Sequence, residues 1–360
     1  MQALVFHKPK DVRVEHVADP RIEDPRDAIV RVSAAAISGA DMLLYNGVLP
    51  HATPLILGHE VVGTVVEHGE DVRSLAVGDR VVVPAVIACG QCWFCTRGMT
   101  AHCAASNPDT FGPEGGLLRG RGGAQFGHPD PFGALAGGQA QYLRVPYADV
   151  GPRKLSDDVT DAQALLLSEL APLAWSALRD TPIEGGETVA VFGCGPLGLV
   201  VQKVAVLLGA EHVIAVDVLP YRLEIAQKIA RAATTLNARE EEVTERIRKL
   251  TEGRGADVCV DAVGMHGDRK LRERFSNLLH LQKSHIPALR MACDAVRRGG
   301  SVLVLGTYAA ESDDFPLGQV MDKGIRLRTG AVPGRAALDA VMAHVRDKSL
   351  RLDDVISHVL

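Results

Sequence analysis

Residues 187–217 read ETVAVFGCGPLGLVVQKVAVLLGAEHVIAVD. Thr188 to Phe192 is the uninterrupted run expected of a strand buried on both faces of a parallel sheet. A turn follows directly, with Gly193, Gly195 and Gly198 in the pattern G-x-G-x-x-G around Cys194, Pro196 and Leu197. Leu199, Val200, Val204, Leu207 and Leu208 then recur at helical spacing, and Gly209 closes the helix. A second apolar strand, His212 to Val216, ends in Asp217, 24 residues after Gly193. Strand, glycine turn, helix, strand and acid in this order predict a dinucleotide-binding βαβ unit. Gly193 permits the tight turn, Gly195 lets backbone approach a pyrophosphate, and Gly198 lets helix and strand pack closely. The helix start, at Pro196 and Leu197, offers unpaired N–H groups to the phosphates. Asp217 would accept the ribose hydroxyls and repel a 2′-phosphate, so NAD is expected rather than NADP.

Around that unit, 360 residues predict two domains. Apolar content of 47% and charged content of 23% suit a soluble globular protein. A formal charge of −5 without basic clusters predicts no nucleic-acid partner. No apolar run approaches the roughly 20 residues of a membrane span, so no membrane partner is expected. Met1 to Phe6 reads as a strand and not a signal peptide, which predicts a cytoplasmic protein. In that compartment, seven cysteines point to metal binding or free thiols instead of disulfides.

Residues 1 to about 85 predict short strands at Ala3–Phe6, Val12–His16, Ala28–Ser33, Glu60–Glu67 and Arg80–Pro84. Between them, Gly58-His59-Glu60 places an imidazole and a carboxylate at a strand start, a pair that is structural or metal-binding. Cys89, Cys92 and Cys95 stand at i, i+3 and i+6, with Cys103 eight positions on. Four thiolates from one short loop can close a tetrahedral zinc site with no position left for substrate, a structural zinc. Cys194, Cys259 and Cys293 lie in apolar surroundings and read as packing residues.

From 104 to 138 the chain is rich in glycine and proline, the composition of a long functional or mobile loop. A helix is expected from Asp161 to Arg179, kinked or broken by Pro172. Glu169 sits in its apolar stretch, where a buried carboxylate needs a partner, although a glutamate reaching solvent fits equally. Arg222 follows Asp217 closely, facing either the adenosine end or solvent. Residues 265–290 read as polar and irregular, with Arg269, Lys270, Arg272 and Arg274 on a solvated face. A helix at Ala288–Arg298 and strands at Ser301–Gly306 and Ile325–Thr329 bring the parallel sheet to about six strands.

Taken together, Gly58-His59-Glu60, Gly78-Asp79-Arg80-Val81, the four cysteines and the nucleotide turn resemble the zinc-containing medium-chain dehydrogenase/reductase, or alcohol dehydrogenase, superfamily. Ile87-Ala88-Cys89-Gly90, Gly137-Gly138-Gln139-Ala140-Gln141-Tyr142 and Val145-Pro146-Tyr147-Ala148-Asp149 are similar to its glutathione-independent formaldehyde dehydrogenase subgroup. The resemblance implies an α/β chain with two domains. A GroES-like β-rich catalytic domain would take 1–171 and 332–360, and a six-stranded parallel Rossmann domain 172–331, with the nucleotide in the cleft between them. It implies a catalytic zinc held by His59 and Glu169, with Glu60 able to swing onto the metal and Asp41 orienting a ligand. NAD would accept hydride from a small alcohol, polyol or aldehyde, in a homodimer or homotetramer.

Ser38-Gly39-Ala40-Asp41 stands where the family carries Cys-Gly-Ser/Thr-Asp. Ser38 therefore replaces a thiolate ligand, Ala40 replaces a relay hydroxyl, and Leu43 stands where a relay histidine often does. These departures keep two alternatives open: a zinc-independent reductase, or a dinucleotide-binding protein without turnover. By the same resemblance the final stretch, Asp353 to Leu360, is expected either to leave the catalytic domain short of packing partners or to mark a truncated chain.

Overall fold

The computed structural model describes residues 1–49, 54–106, 124–129, 132–230, 234–266, 286–308, 315–330 and 335–360. Most of the glycine-rich loop and the polar stretch 267–285, with Arg269, Lys270, Arg272 and Arg274, lie outside these residues. The chain divides into two compact units, Met1–Pro172 with Val332–Lys348, and Leu173–Ala331 with Ser349–Leu360.

The first unit holds the strands β1 (Gln2–Lys8), β2 (Asp11–His16), β3 (Ala28–Ala35), β4 (Leu55–Ile56), β5 (Val61–His68), β6 (Arg80–Val83), β7 (Tyr142–Val145) and β8 (Arg153–Lys154), and valine recurs in β3, β5 and β6. Among the described residues these strands form two antiparallel sheets, β2-β1-β4 and β7-β3-β5-β6-β8. Val30, Val61, Val65, Val81, Val83 and Leu143 meet in a core on one face of the larger sheet.

The second unit is built on β9 (Thr188–Phe192), β10 (His212–Asp217), β11 (Thr234–Asn237), β12 (Ala256–Asp261), β13 (Val296–Val304) and β14 (Arg326–Thr329). Among the described residues these six run parallel in the order β11-β10-β9-β12-β13-β14. That order reverses direction at β9, the strand that feeds the glycine turn. In such sheets ligands bind outside the carboxyl ends of the strands at the reversal. Every residue of β9 is buried, as its unbroken apolar sequence predicts.

Three expectations change in detail. The single helix expected at 161–179 is two, Asp161–Leu167 and Leu170–Arg179. Pro172 has no N–H to give to Ser168, so that carbonyl leaves the helix ladder and accepts Ala85 N at 3.4 Å. The helix expected to reach Arg298 spans Pro287–Ala295, because Lys323 Nζ donates to the carbonyls of Cys293, Asp294 and Val296 at 2.8–3.0 Å and β13 takes over. Ser349–Leu360, read above with the catalytic domain, belongs to the second unit, where Asp354 pairs with Lys203 at 2.8 Å. Among the described residues no helix is long and apolar enough to cross a membrane.

Candidate active site

Within the first unit, His59 and Glu60 lie just ahead of β5, each 3% exposed. Glu169 occupies the gap between the two short helices, so the break that Pro172 imposes releases its side chain from a regular helical position. His59 Nε2 meets Glu169 Oε2 at 2.9 Å. One donor atom from each of His59, Glu60 and Glu169 lies within 4.8 Å of the others.

Burial opposes charge on His59, but the carboxylate of Glu169, with Asp41 and Glu60, outweighs it and raises the imidazole to about 9. Burial, reinforced by Glu169 and Asp41, pushes Glu60 up to about 8. Partial burial opposes charge on Glu169 too, yet the charge and hydrogen bond of His59 hold it below the ordinary glutamate value.

Four buried polar atoms here have no hydrogen-bond partner: His59 Nδ1, Glu60 Oε1, Asp41 Oδ1 and Gln139 Oε1. Such atoms are scarce in native proteins, and their concentration marks a place prepared for a ligand. One imidazole and two carboxylates suit a divalent cation, zinc included.

Asp41 is buried, and its Oδ2 accepts from Ser38 N at 2.8 Å and Gln139 Nε2 at 3.1 Å. Ser38 Oγ accepts from Ala40 N and Asp41 N at 3.1 and 3.3 Å, so the hydroxyl is the N-cap of the Gly39–Tyr45 helix. Leu43 is buried on that helix and, like Ala40, has no side-chain donor.

Two residues of this site were not singled out from sequence. Gln139 holds Asp41 from 98 positions away. His128, buried, stacks its ring against His59 with centroids 4.8 Å apart, and its Nδ1 bonds the Phe126 carbonyl at 2.9 Å. Neither has a spacing signal, because non-local pairing alone brings them in.

The sulfurs of Cys89, Cys92, Cys95 and Cys103 also lie within 4.8 Å of one another. Burial pushes thiols up, yet N–H groups from Cys95, Ala104 and Phe94 draw Cys92 down to about 6, while burial and the neighbouring thiols hold Cys95 high. Cys194 and Cys259, both buried thiols pushed upward mainly by burial, have the environment of packing residues.

In the second unit Gly193 has φ +97°, which L side chains avoid, and a Cβ on Gly198 would stand 1.8 Å from the Gly193 carbonyl. The turn closes onto the helix Pro196–Leu207, with Gly195 at its N-cap and no side-chain hydrogen bond to the cap. Asp217 reaches the same turn. Its carboxylate accepts Cys194 N at 2.7 Å, Val218 N at 2.7 Å and Leu219 N at 3.0 Å. Arg222 Nη1 stands 3.8 Å from Asp217 and about as far from where a Gly195 side chain would begin.

Residues 24–154 match the alcohol dehydrogenase GroES-like domain, and residues 196–271 match the zinc-binding dehydrogenase domain. The chain is 35% identical to the uncharacterized zinc-type alcohol dehydrogenase-like protein AdhB of Bacillus subtilis, over all of this chain and 93% of that one. It is 31% identical to a glutathione-independent formaldehyde dehydrogenase of Pseudomonas aeruginosa, over 88% of this chain and 84% of that one. Among solved structures, alcohol dehydrogenase TADH from Thermus sp. ATN1 superposes with a TM-score of 0.84 at 34% identity, covering 99% of this chain and 92% of that one. With its GroES-like unit and its six-stranded Rossmann unit, the chain belongs to the zinc-type, medium-chain alcohol dehydrogenase superfamily and is an alcohol dehydrogenase-like oxidoreductase.

Proposed function

We propose that the chain is an NAD-dependent zinc oxidoreductase that moves hydride between a small alcohol, polyol or aldehyde and the nicotinamide. The His59–Glu60–Glu169 trio, two of its members buried and ringed by unpaired polar atoms, carries this reading. Zinc, when bound there, polarises the substrate oxygen.

His59 and Glu169 hold the metal, Glu60 supplies a second carboxylate, and Asp41, fixed by Ser38 N and Gln139, orients the site. NAD, when bound, would supply the hydride acceptor for the alcohol carbon, and the hydroxyl proton would pass to water. Ala40 and Leu43 offer no relay group. Gly193, Gly195, Pro196, Leu197 and Gly198 receive the pyrophosphate, with Asp217 and Arg222 at the ribose. Cys89, Cys92, Cys95 and Cys103 hold a structural zinc. We take the protein to be a cytoplasmic homo-oligomer, a dimer or tetramer.

A zinc-independent reductase is the second reading, and the Ser38 hydroxyl, spent on a helix cap, favours it. The test is zinc content per chain, measured beside NAD- and NADP-linked turnover of alcohols and aldehydes. Two zincs and NAD-linked turnover are expected. One zinc with undiminished turnover establishes the second reading, and nucleotide binding without turnover overturns both.

A further inference from the structure

The thiolate missing at position 38 leaves the site with one nitrogen and two carboxylates, and Ser38 Oγ already accepts two backbone N–H groups. An unused nitrogen donor beside the site is His128. It is 6% exposed, with its ring between those of His59 (centroids 4.8 Å) and Phe132 (5.1 Å). Its Nδ1 faces the Phe126 carbonyl at 2.9 Å, and a carbonyl can only accept, so the proton sits on Nδ1 and the lone pair on Nε2. Among the described residues the one side-chain hydrogen bond of His128 is that of Nδ1, so Nε2 is left without one.

An imidazole with one nitrogen donating to a backbone carbonyl and the other free is the arrangement that metal-ligating histidines adopt. Two imidazoles on one tetrahedral zinc, each with Zn–N about 2.1 Å, place their ring centres about 5 Å apart. The observed separation of His59 and His128 is 4.8 Å. His128 stands beside the trio instead of inside its 4.8 Å span, so its ring must close on the ion as the ion binds.

We propose that His128 is a ligand of the catalytic metal and supplies, through Nε2, the donor that Ser38 does not. The set becomes two histidines and Glu169, with Glu60 beside them, a nitrogen–oxygen site for a borderline divalent cation in place of a thiolate site. This rests on the metal-centre reading above.

The experiment titrates the metal-free full-length protein with zinc, and in parallel with cobalt as a spectroscopic probe. It compares wild type with His128→Phe, which keeps an aromatic ring against Phe132, with His128→Gln, and with His59→Ala. The four-cysteine metal serves as the internal count of folded protein. Wild type should take up two equivalents.

Both His128 variants should keep the cysteine-bound equivalent and bind the other at least about 100-fold more weakly, since loss of an outer-shell partner alone costs roughly 10–100-fold. The cobalt ligand-field bands of that second equivalent should shift or vanish. If the His128 variants bind it as tightly as wild type with an unchanged spectrum, while His59→Ala loses it, His128 is no ligand and the metal centre stands. If wild type binds only the cysteine-held equivalent, or His59→Ala changes nothing, the metal centre itself falls, and this proposal with it.

Discussion

The Ser38 hydroxyl caps the Gly39–Tyr45 helix in a reciprocal capping box with Asp41. The family comparison invites reading Ser38 as a weakened ligand; the geometry gives it a local structural task. Ser38→Ala should therefore cost about 1 kcal/mol of stability by urea denaturation, with metal content unchanged. A fall in bound zinc would show instead that the hydroxyl serves the site. Asp217 carries a similar double duty, as three backbone N–H groups converge on its carboxylate. Asp217→Ser should weaken NADH binding roughly tenfold or more, the loss of charged hydrogen bonds, and should move preference toward NADP. Fluorescence titration of both nucleotides decides it; wild type that binds NADP as tightly as NAD removes the role given to Asp217. Both residues were visible in sequence because the family patterns that name them are local. The parts played by His128 and Gln139 were not: Gln139 stands in a family-like stretch, but nothing local to either residue shows that it meets His59 or Asp41.

Among the elements, the paired helices around Glu169 show what sequence can and cannot place. Pro172 announced a break, but a proline disrupts the bond to the carbonyl four residues before it, so the gap falls at Ser168-Glu169. Pro172→Ala should let the two helices join and draw Glu169 away from His59. Zinc affinity at that site should drop by roughly tenfold or more, as for loss of an outer-shell partner, while helix content by circular dichroism rises. Unchanged affinity would mean that the break does not position Glu169. β9, its glycine turn and the following helix were legible almost to the residue, because apolar period, glycine spacing and burial all agree there. For the cysteine loop, Cys92→Ser should remove one zinc per chain and lower the melting temperature. Ala88, Cys95 and Cys103, with Val150 beside them, form only a small apolar cluster, so the metal must supply much of the loop's stability. Unaltered zinc content would refute the four-sulfur assignment.

The whole molecule has two units, each with an apolar core of its own. A ligand that binds only the folded state stabilises it by about 2.7 kcal/mol at 100 times its Kd. NADH at that level should thus raise a calorimetric transition belonging to the second unit, while removal of the cysteine-bound zinc lowers one belonging to the first. A single transition that moves as one under both treatments would show that the units unfold together. The parallel sheet of about six strands followed from sequence, as strands alternating with helices leave few topologies. The final stretch did not, because a side-chain pair between Lys203 and Asp354 has no counterpart in local pattern.

The clustered cysteines have a further consequence, in redox chemistry. Although burial opposes it, backbone N–H groups draw the Cys92 thiol down and so favour its thiolate, and its sulfur lies within 4.8 Å of three others. A thiolate is the species that oxidants and disulfides attack and that attacks them in turn. A bound zinc ion occupies that sulfur's lone pairs and shields it. Once the ion is stripped in air, the same closeness that makes the loop a good cation cage makes it quick to form a disulfide, and metal added later finds too few sulfurs. Chelation should therefore be reversible under a reductant and irreversible without one.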